Sequence, residues 1–152
     1  MNYQAANNYL KTKVFTATPE QLQLMLYDGA IRFTDQGKSS LEKKDYEGVY
    51  NALSRAQKIL TELQCGLKHD VAPELCGKLS ALYTFVFRKL VDASIHHQME
   101  PIDEALQILR YQRETWVLLL DQLGKAKAGV AATRIDMPAP NEQMERQLRM
   151  TA

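Results

Sequence analysis

Hydrophobic residues recur at spacings of three and four along most of the chain, and this pattern predicts α-helices. No Asn-Gly or Asp-Gly pair joins two alternating apolar runs, because Asp28-Gly29 falls inside a helical pattern. The sequence therefore predicts an all-α fold of four long helices. They begin at Thr18, after Asp45, at Pro73 and at Pro101, and the last ends near Gly124.

The clearest helix start lies at Thr18-Pro19-Glu20-Gln21. A threonine N-cap with glutamine at the third helical position forms a capping box, and proline suits the first position because it lacks an N–H. The inward-facing positions of the next two helices follow the helical period. They are Val49, Leu53, Ala56, Leu60, Leu63 and Leu67, then Leu75, Leu79, Leu82, Val86 and Leu90.

Short connections determine how these helices are arranged. Connections of about five residues between helices of about 22 to 25 residues force consecutive helices to run antiparallel. We therefore expect an antiparallel, up-down-up-down four-helix bundle over residues 18–124. Residues 1–17 form a polar N-terminal arm in this prediction, and residues 125–152 form a flexible or partly helical C-terminal tail.

Charge and hydropathy exclude several classes of protein. The chain has 19 basic and 18 acidic residues, a formal net charge of +1, whereas nucleic-acid binders usually carry a clustered basic excess. No apolar run approaches the roughly 18 residues that a membrane span needs, and the start lacks the basic region and apolar core of a secretory signal. We expect a soluble protein of the cytosol, with no nucleic-acid partner and no membrane insertion.

Histidine and cysteine are too few for the metal sites that helical bundles often hold. A di-iron site needs Glu-x-x-His pairs, and none of His69, His96 and His97 has a glutamate three positions earlier. Cys65 and Cys76 lack Cys-x-x-Cys spacing and are interpreted as two small buried hydrophobic residues. No phosphate-binding loop or nucleophile motif is present. The sequence predicts no catalytic residue, no metal and no cofactor.

Several helices carry more apolar surface than a bundle interior needs. Residues 22–33 are hydrophobic on more than one face, Tyr83 and Phe87 flank the third helix's inner stripe, and residues 116–120 are apolar almost all round. A bundle helix needs an apolar stripe of only about 100°. This excess is explained either by cover from the arm, the tail or a dimer partner, or by a groove for amphipathic helices of another protein.

The first predicted helix and the residues before it form a distinctive series: an upstream tyrosine, a capping box and an aromatic-Asp-Gly sequence. The residues are Tyr9, Val14, Thr16-Ala17-Thr18-Pro19, Leu22 and Leu24-Met25-Leu26-Tyr27-Asp28-Gly29-Ala30. This series resembles the opening of the flagellar secretion chaperone FliS family. The resemblance extends over residues 9–120, through Ala56-Gln57-Lys58-Ile59, Leu82-Tyr83 and Trp116, and departs from the family at Gly37, Ser94 and Gln98.

The resemblance implies a non-enzymatic chaperone of the bacterial cytosol. Such a protein would bind the disordered C-terminal segment of flagellin, prevent premature polymerisation and assist delivery to the flagellar type III export apparatus. The alternative, from another class, is a helical interaction module that acts through homodimerisation. We expect partner contacts at Tyr9, Val14, Leu24, Tyr27, Ile31, Ile59, Leu63, Tyr83 and Phe87.

The arm carries a further hypothesis. Tyr9, Val14 and Phe15 fold over an apolar groove in the free chaperone and leave when the substrate arrives. The family resemblance instead suggests that Tyr9 contacts the client itself. Both roles stay open at the level of sequence.

Overall fold

The computed structural model describes residues 2–135, and it describes their side chains as far as residue 130. Every regular element within that range is an α-helix, so the all-α prediction is confirmed. The helices are α1 (Asn2–Thr16), α2 (Pro19–Glu42), α3 (Tyr46–Cys65), α4 (Pro73–His96) and α5 (Met99–Ile135). None of the helices in this described range is long and apolar enough to cross a membrane.

The predicted start signals are confirmed at α2, α3 and α4. The hydroxyl of Thr18 accepts the N–H of Gln21 at 3.2 Å, and Gln21 Oε1 accepts the N–H of Thr18 at 3.0 Å, which completes the capping box. Asp45 Oδ1 accepts the N–H of Gly48 at 3.0 Å at the start of α3. Pro73 occupies the first turn of α4, whereas α5 begins at Met99, slightly before the predicted Pro101.

The N-terminal arm is itself a helix, which the sequence pattern did not predict. The residues of α1 include no buried side chain, so no inward stripe marks it in the sequence. At the other end of the chain, α5 continues past the predicted boundary at Gly124 to Ile135. Alanine and lysine between these two residues favour a helix. Residues 136–152 of the predicted tail lie outside the described part of the chain.

The chain divides after Val117 into two compact units. Of the second unit, Leu118–Ala152, the structure describes residues 118–135, which are the end of α5. Within it, Lys125 pairs with Asp121 at 3.3 Å, and the side chains of Leu118 and Val130 are exposed.

In the first unit, Met1–Val117, α2 packs against α3, and α3 packs against α4. α2 and α3 approach so closely that an added Cβ on Gly37 would lie 2.5 Å from Leu53 Cδ2. Gln64 Nε2 of α3 donates to the hydroxyl of Ser80 of α4 at 2.6 Å. α5 is joined to α4 by the Lys89–Glu104 ion pair at 2.8 Å and to α2 by the contacts described below.

The core of this unit contains side chains from α2, α3, α4 and α5. Its members are Tyr27, Ala30, Val49, Leu53, Ala56, Leu60, Leu63, Tyr83, Val86, Leu90, Ala93, Ile102, Ala105, Leu106 and Leu109. Two sequence predictions are wrong. Leu75, expected on the inner stripe of α4, is 58% exposed, because the stripe begins one position later at the buried Cys76. Cys65, expected to be buried, is exposed in the last turn of α3.

Candidate partner-binding surface

α1 presents the most exposed apolar residues among the predicted contacts. Leu10, Val14 and Phe15, with Asn7 and Lys11, line an open cleft of about 520 Å³ on this helix. Residues three and four apart share a helix face, which explains why Leu10 and Val14 lie side by side. Tyr9 lies on a different face of α1, and its side chain is 67% exposed. Both predicted arm contacts are therefore accessible.

A second cleft lies at the corner where α1 meets α2. It has a volume of about 350 Å³ and is lined by Lys13, Thr16, Ala17, Gln21, Leu24, Met25 and Asp28. The capping box at Thr18 fixes the first turn of α2 at this corner. The structure thus places Leu24 beside the end of the helix that carries Val14.

Leu24 and Ile31 belong to a strip along α2 that also contains Asp28 and Asp35. These four residues follow the spacing i, i+4, i+7, i+11 and therefore share one face of the helix. Leu24 and Ile31 are half-buried, and Ile31 packs against the core. We call these four residues the α2 strip.

Both aspartates of the α2 strip bind arginines of α5. Arg110 Nη2 donates to Asp35 Oδ1 at 3.0 Å, and Arg113 Nε donates to Asp28 Oδ1. Sequence reasoning missed both arginines. The sequence offered no signal for these pairs, because the aspartates are seven positions apart and the arginines only three.

The predicted contacts on α3 and α4 are less accessible. Ile59 is half-buried and fits against Gly29 of α2, where an added Cβ would lie 3.0 Å from Ile59 Cδ1. Phe87 is half-buried and packs against the core, and Leu63 is fully buried within it. Ile59 and Phe87 therefore present part of their side chains to solvent, whereas Leu63 presents almost none.

Tyr27 and Tyr83 are core residues in this structure, at 2% and 1% exposure. Their hydroxyl groups form a hydrogen bond of 2.5 Å between α2 and α4, and Gln23 Nε2 donates to Tyr27 at 3.5 Å. Burial, reinforced by this hydrogen bond, raises the pKa of the Tyr83 hydroxyl above its usual value. Each tyrosine thus supplies the polar partner that the other requires.

The histidine and cysteine side chains were the candidates for metal or catalytic chemistry. No cluster of His, Cys, Asp and Glu within the described residues has the composition of a metal site. The His97 ring stacks on the Tyr46 ring at a centroid distance of 3.9 Å, at the end of α4. Cys65 and Cys76 are both free thiols. The first unit is thus a helical scaffold with a partly covered strip on α2 and, beside it, an exposed helix that carries one apolar face.

Comparison with known proteins identifies this class of scaffold. Residues 1–123 match the model of the family described as flagellar protein FliS. The chain is 31% identical over 121 residues to the flagellar secretion chaperone FliS of Bacillus subtilis, covering 80% of this chain and 90% of that protein. It is 32% identical over 108 residues to the flagellar secretion chaperone FliS of Salmonella typhimurium, covering 70% of this chain and 80% of that protein.

A solved structure gives the same result for the fold. The crystal structure of a flagellar chaperone from bacteria superposes with a TM-score of 0.65 at 19% identity, over 80% of this chain and 99% of that chain. The chain belongs to the flagellar protein FliS family, which is a family of chaperones and not of enzymes. The resemblance drawn from Tyr9 and the start of α2 is confirmed.

Proposed function

We propose that this protein binds the disordered C-terminal segment of flagellin in the bacterial cytosol, prevents its premature polymerisation and assists its delivery to the flagellar type III export apparatus. The observation that carries the proposal is the exposed apolar face of α1 beside the half-buried α2 strip. An amphipathic segment that folds as a helix can bury its apolar face on such a surface. Family membership supports the same function.

The scaffold for this binding is an antiparallel, up-down-up-down four-helix bundle of α2 to α5. Support comes from the contacts of α2 with α3, of α3 with α4, and of α5 with both α4 and α2. The hydroxyl pair of Tyr27 and Tyr83 joins α2 to α4 across the interior. Each helix of such a bundle keeps an outer face free for a partner.

The nine predicted contact residues divide into two roles in this proposal. Six side chains that solvent reaches meet the client directly: Tyr9, Val14, Leu24, Ile31, Ile59 and Phe87. Three core side chains, Leu63, Tyr27 and Tyr83, support them from behind and hold the helices in register. A substitution in the second group therefore acts on stability first and on binding through it.

Ordering a disordered client has a free-energy cost of several kcal/mol. A client that wraps around several helices offsets this cost by burying a large area. The client can then be released in steps, as it separates from one helix after another. Contacts spread over α1, α2, α3 and α4 suit that kind of binding. Stepwise release at the export apparatus then needs no single large barrier.

Titration calorimetry with a peptide from the C-terminus of the host's flagellin tests the proposal. We expect saturable binding with a negative heat-capacity change, because apolar surface is buried. Val14→Asp should weaken binding by about tenfold, since a charge would lie in the apolar cleft of α1. Val71→Ala is the matched control, because Val71 is an exposed apolar residue of the α3–α4 connection and should leave the affinity unchanged. An absence of heat at several temperatures would contradict the proposal.

α1 is also proposed to cover the apolar groove in a second position of this helix, until the client displaces it; in the position described here, the side chains of Tyr9, Val14 and Phe15 are exposed. Deletion of residues 1–15 removes the covering helix together with the Val14 contact, and it should tighten peptide binding or promote self-association when loss of the cover has the larger effect. Tyr9→Ala separates the two roles of the arm: weaker binding assigns Tyr9 to the client, and tighter binding assigns it to the cover. Unchanged affinity and unchanged association in the deletion variant would contradict the covering role.

Homodimerisation is the competing use of the same exposed residues. It is favoured by α1, whose side chains are all exposed in the described single chain. Light scattering on the isolated protein distinguishes the two functions. A tight dimer that peptide does not dissociate would favour the interaction module over the chaperone.

A further inference from the structure

Within the first unit, the two halves of α5 are held in place by different kinds of contact. Pro101, Ile102, Ala105, Leu106 and Leu109 are all buried, so this half is fixed by the core. From residue 110 to residue 130, α5 has no buried residue. The half from residue 110 to residue 117 must therefore be held by something other than full burial.

Three polar contacts with α2 hold this half, together with the packing of the Trp116 ring against the core. Arg110 binds Asp35 and Arg113 binds Asp28, and all four side chains are about half exposed. Trp116, which is half-buried, donates its indole N–H to the backbone oxygen of Glu20 at 2.9 Å. Exposed ion pairs contribute little individually and are screened by salt.

These contacts lie on the α2 strip. Asp28 and Asp35 alternate along one helix face with Leu24 and Ile31, so an α5 segment bound to the aspartates also lies over this face. Separation of that segment from α2 would expose the two apolar residues together with two free carboxylates. The buried half of α5 would keep its place, because its core contacts are independent of these ion pairs.

We propose that residues 110–117 of α5 form an electrostatic latch that closes over the α2 strip and opens locally, without unfolding the rest of the helix. The open strip is an apolar surface flanked by negative charge, which fits an amphipathic helix with basic residues spaced to replace Arg110 and Arg113. The partly covered strip thus gains binding surface when the latch opens, and ionic contacts control how much of the strip is accessible.

The single tryptophan of the chain reports on the latch directly, because Trp116 is one of its contacts. The experiment measures acrylamide quenching of Trp116 fluorescence in the full chain, without any client. Raising NaCl from about 0.1 M to about 1 M shortens the Debye length from about 10 Å to about 3 Å, and should raise the quenching constant about twofold. Far-UV circular dichroism should stay unchanged, because only one helix segment moves.

Two variants decide whether the ion pairs are the cause. Arg110→Gln with Arg113→Gln should show high quenching already at low salt, with little further rise. Lys38→Gln is the matched control, because Lys38 forms the α2–α5 ion pair with Asp103 at 2.6 Å beside the buried Ile102, and it should behave as the parent protein does. The charge exchange Asp28→Arg with Arg113→Asp should restore low quenching and its salt dependence.

The proposal is overturned if the double glutamine variant quenches as the parent protein does. It is also overturned if Lys38→Gln opens the latch equally, because the loosening would then involve the whole helix. Should the double variant fail to fold, the salt titration of the parent protein and the charge exchange decide. Peptide binding has no part in this test, so failure of the latch and failure of the proposed chaperone function are distinguishable.

Discussion

Gly37 shows how one missing methyl group sets the distance between two helices. An alanine Cβ there would lie 2.5 Å from Leu53 Cδ2 and 3.7 Å from Ala52 Cβ, and Leu53 is fully buried. Overpacking costs about 1–3 kcal/mol, which exceeds the gain of about 1 kcal/mol from replacing a helical glycine by alanine. Gly37→Ala should therefore lower the free energy of unfolding by about 1 kcal/mol in urea denaturation.

Gly77→Ala is the control for that measurement. Gly77 lies in α4 with no atom within 4 Å of an added Cβ, so only the helix propensity changes. This variant should be more stable by about 0.5–1 kcal/mol. If the two variants shift in the same direction, close packing at Gly37 is not the reason for its glycine.

The buried hydroxyl of Tyr83 makes stability depend on alkaline pH. The folded protein holds this proton more tightly than the unfolded chain does, because burial and the bond to Tyr27 raise the pKa of Tyr83. The stabilisation is complete below the unfolded value of about 10 and falls above it by up to about 1.4 kcal/mol per pH unit. Unfolding free energies on both sides of that pH should show this decline.

Replacing Tyr83 by phenylalanine removes the group that titrates. Tyr83→Phe should lose about 1 kcal/mol at neutral pH, since the Tyr27 hydroxyl keeps only the longer contact with Gln23, and its alkaline decline should be shallower. Tyr50→Phe should decline as the parent protein does, because the Tyr50 side chain is exposed. Equal slopes in all three proteins would assign the alkaline decline to other groups.

Among the elements, those with local start signals were predictable and those without were not. Thr18, Asp45 and Pro73 mark helix starts through backbone chemistry that involves only neighbouring residues. α1 has no buried stripe, so hydrophobic periodicity could not reveal it. The ion pairs of Asp28 and Asp35 depend on which turn of α5 lies opposite α2, and sequence spacing does not fix that register.

The capping box should account for a measurable part of the stability of α2. Thr18→Ala removes the acceptor of the Gln21 N–H and should cost about 1 kcal/mol in the free energy of unfolding. Thr61→Ala is a matched control, because its hydroxyl bonds back to Gln57 O within α3 and is exposed. That change should be neutral or slightly stabilising. A similar loss in both variants would show that the loss of any threonine side chain has this cost, and that the capping hydrogen bond is not the cause.

At the scale of the whole molecule, the buried core lies entirely within the residues that the family model matches. The buried core extends from Tyr27 to Leu109, and the family model matches residues 1–123. The nine predicted contact residues all lie within residues 1–123, but they range from exposed to fully buried. Sequence could place seven of them on helices and the other two, Tyr9 and Val14, only in an arm. Packing alone separates Leu24 at the surface from Leu63 in the core.

This distribution predicts that the first unit folds without the second. A chain that ends at Val117 keeps every core residue, Trp116 and both latch arginines, so its free energy of unfolding should change by less than about 1 kcal/mol. A chain that ends at Ala105 loses Leu106 and Leu109, each worth about 1.5–3 kcal/mol of burial, and should no longer unfold cooperatively. Urea denaturation followed by circular dichroism compares the two. If the chain that ends at Val117 also loses its cooperative transition, residues beyond Val117 take part in the folding of the first unit.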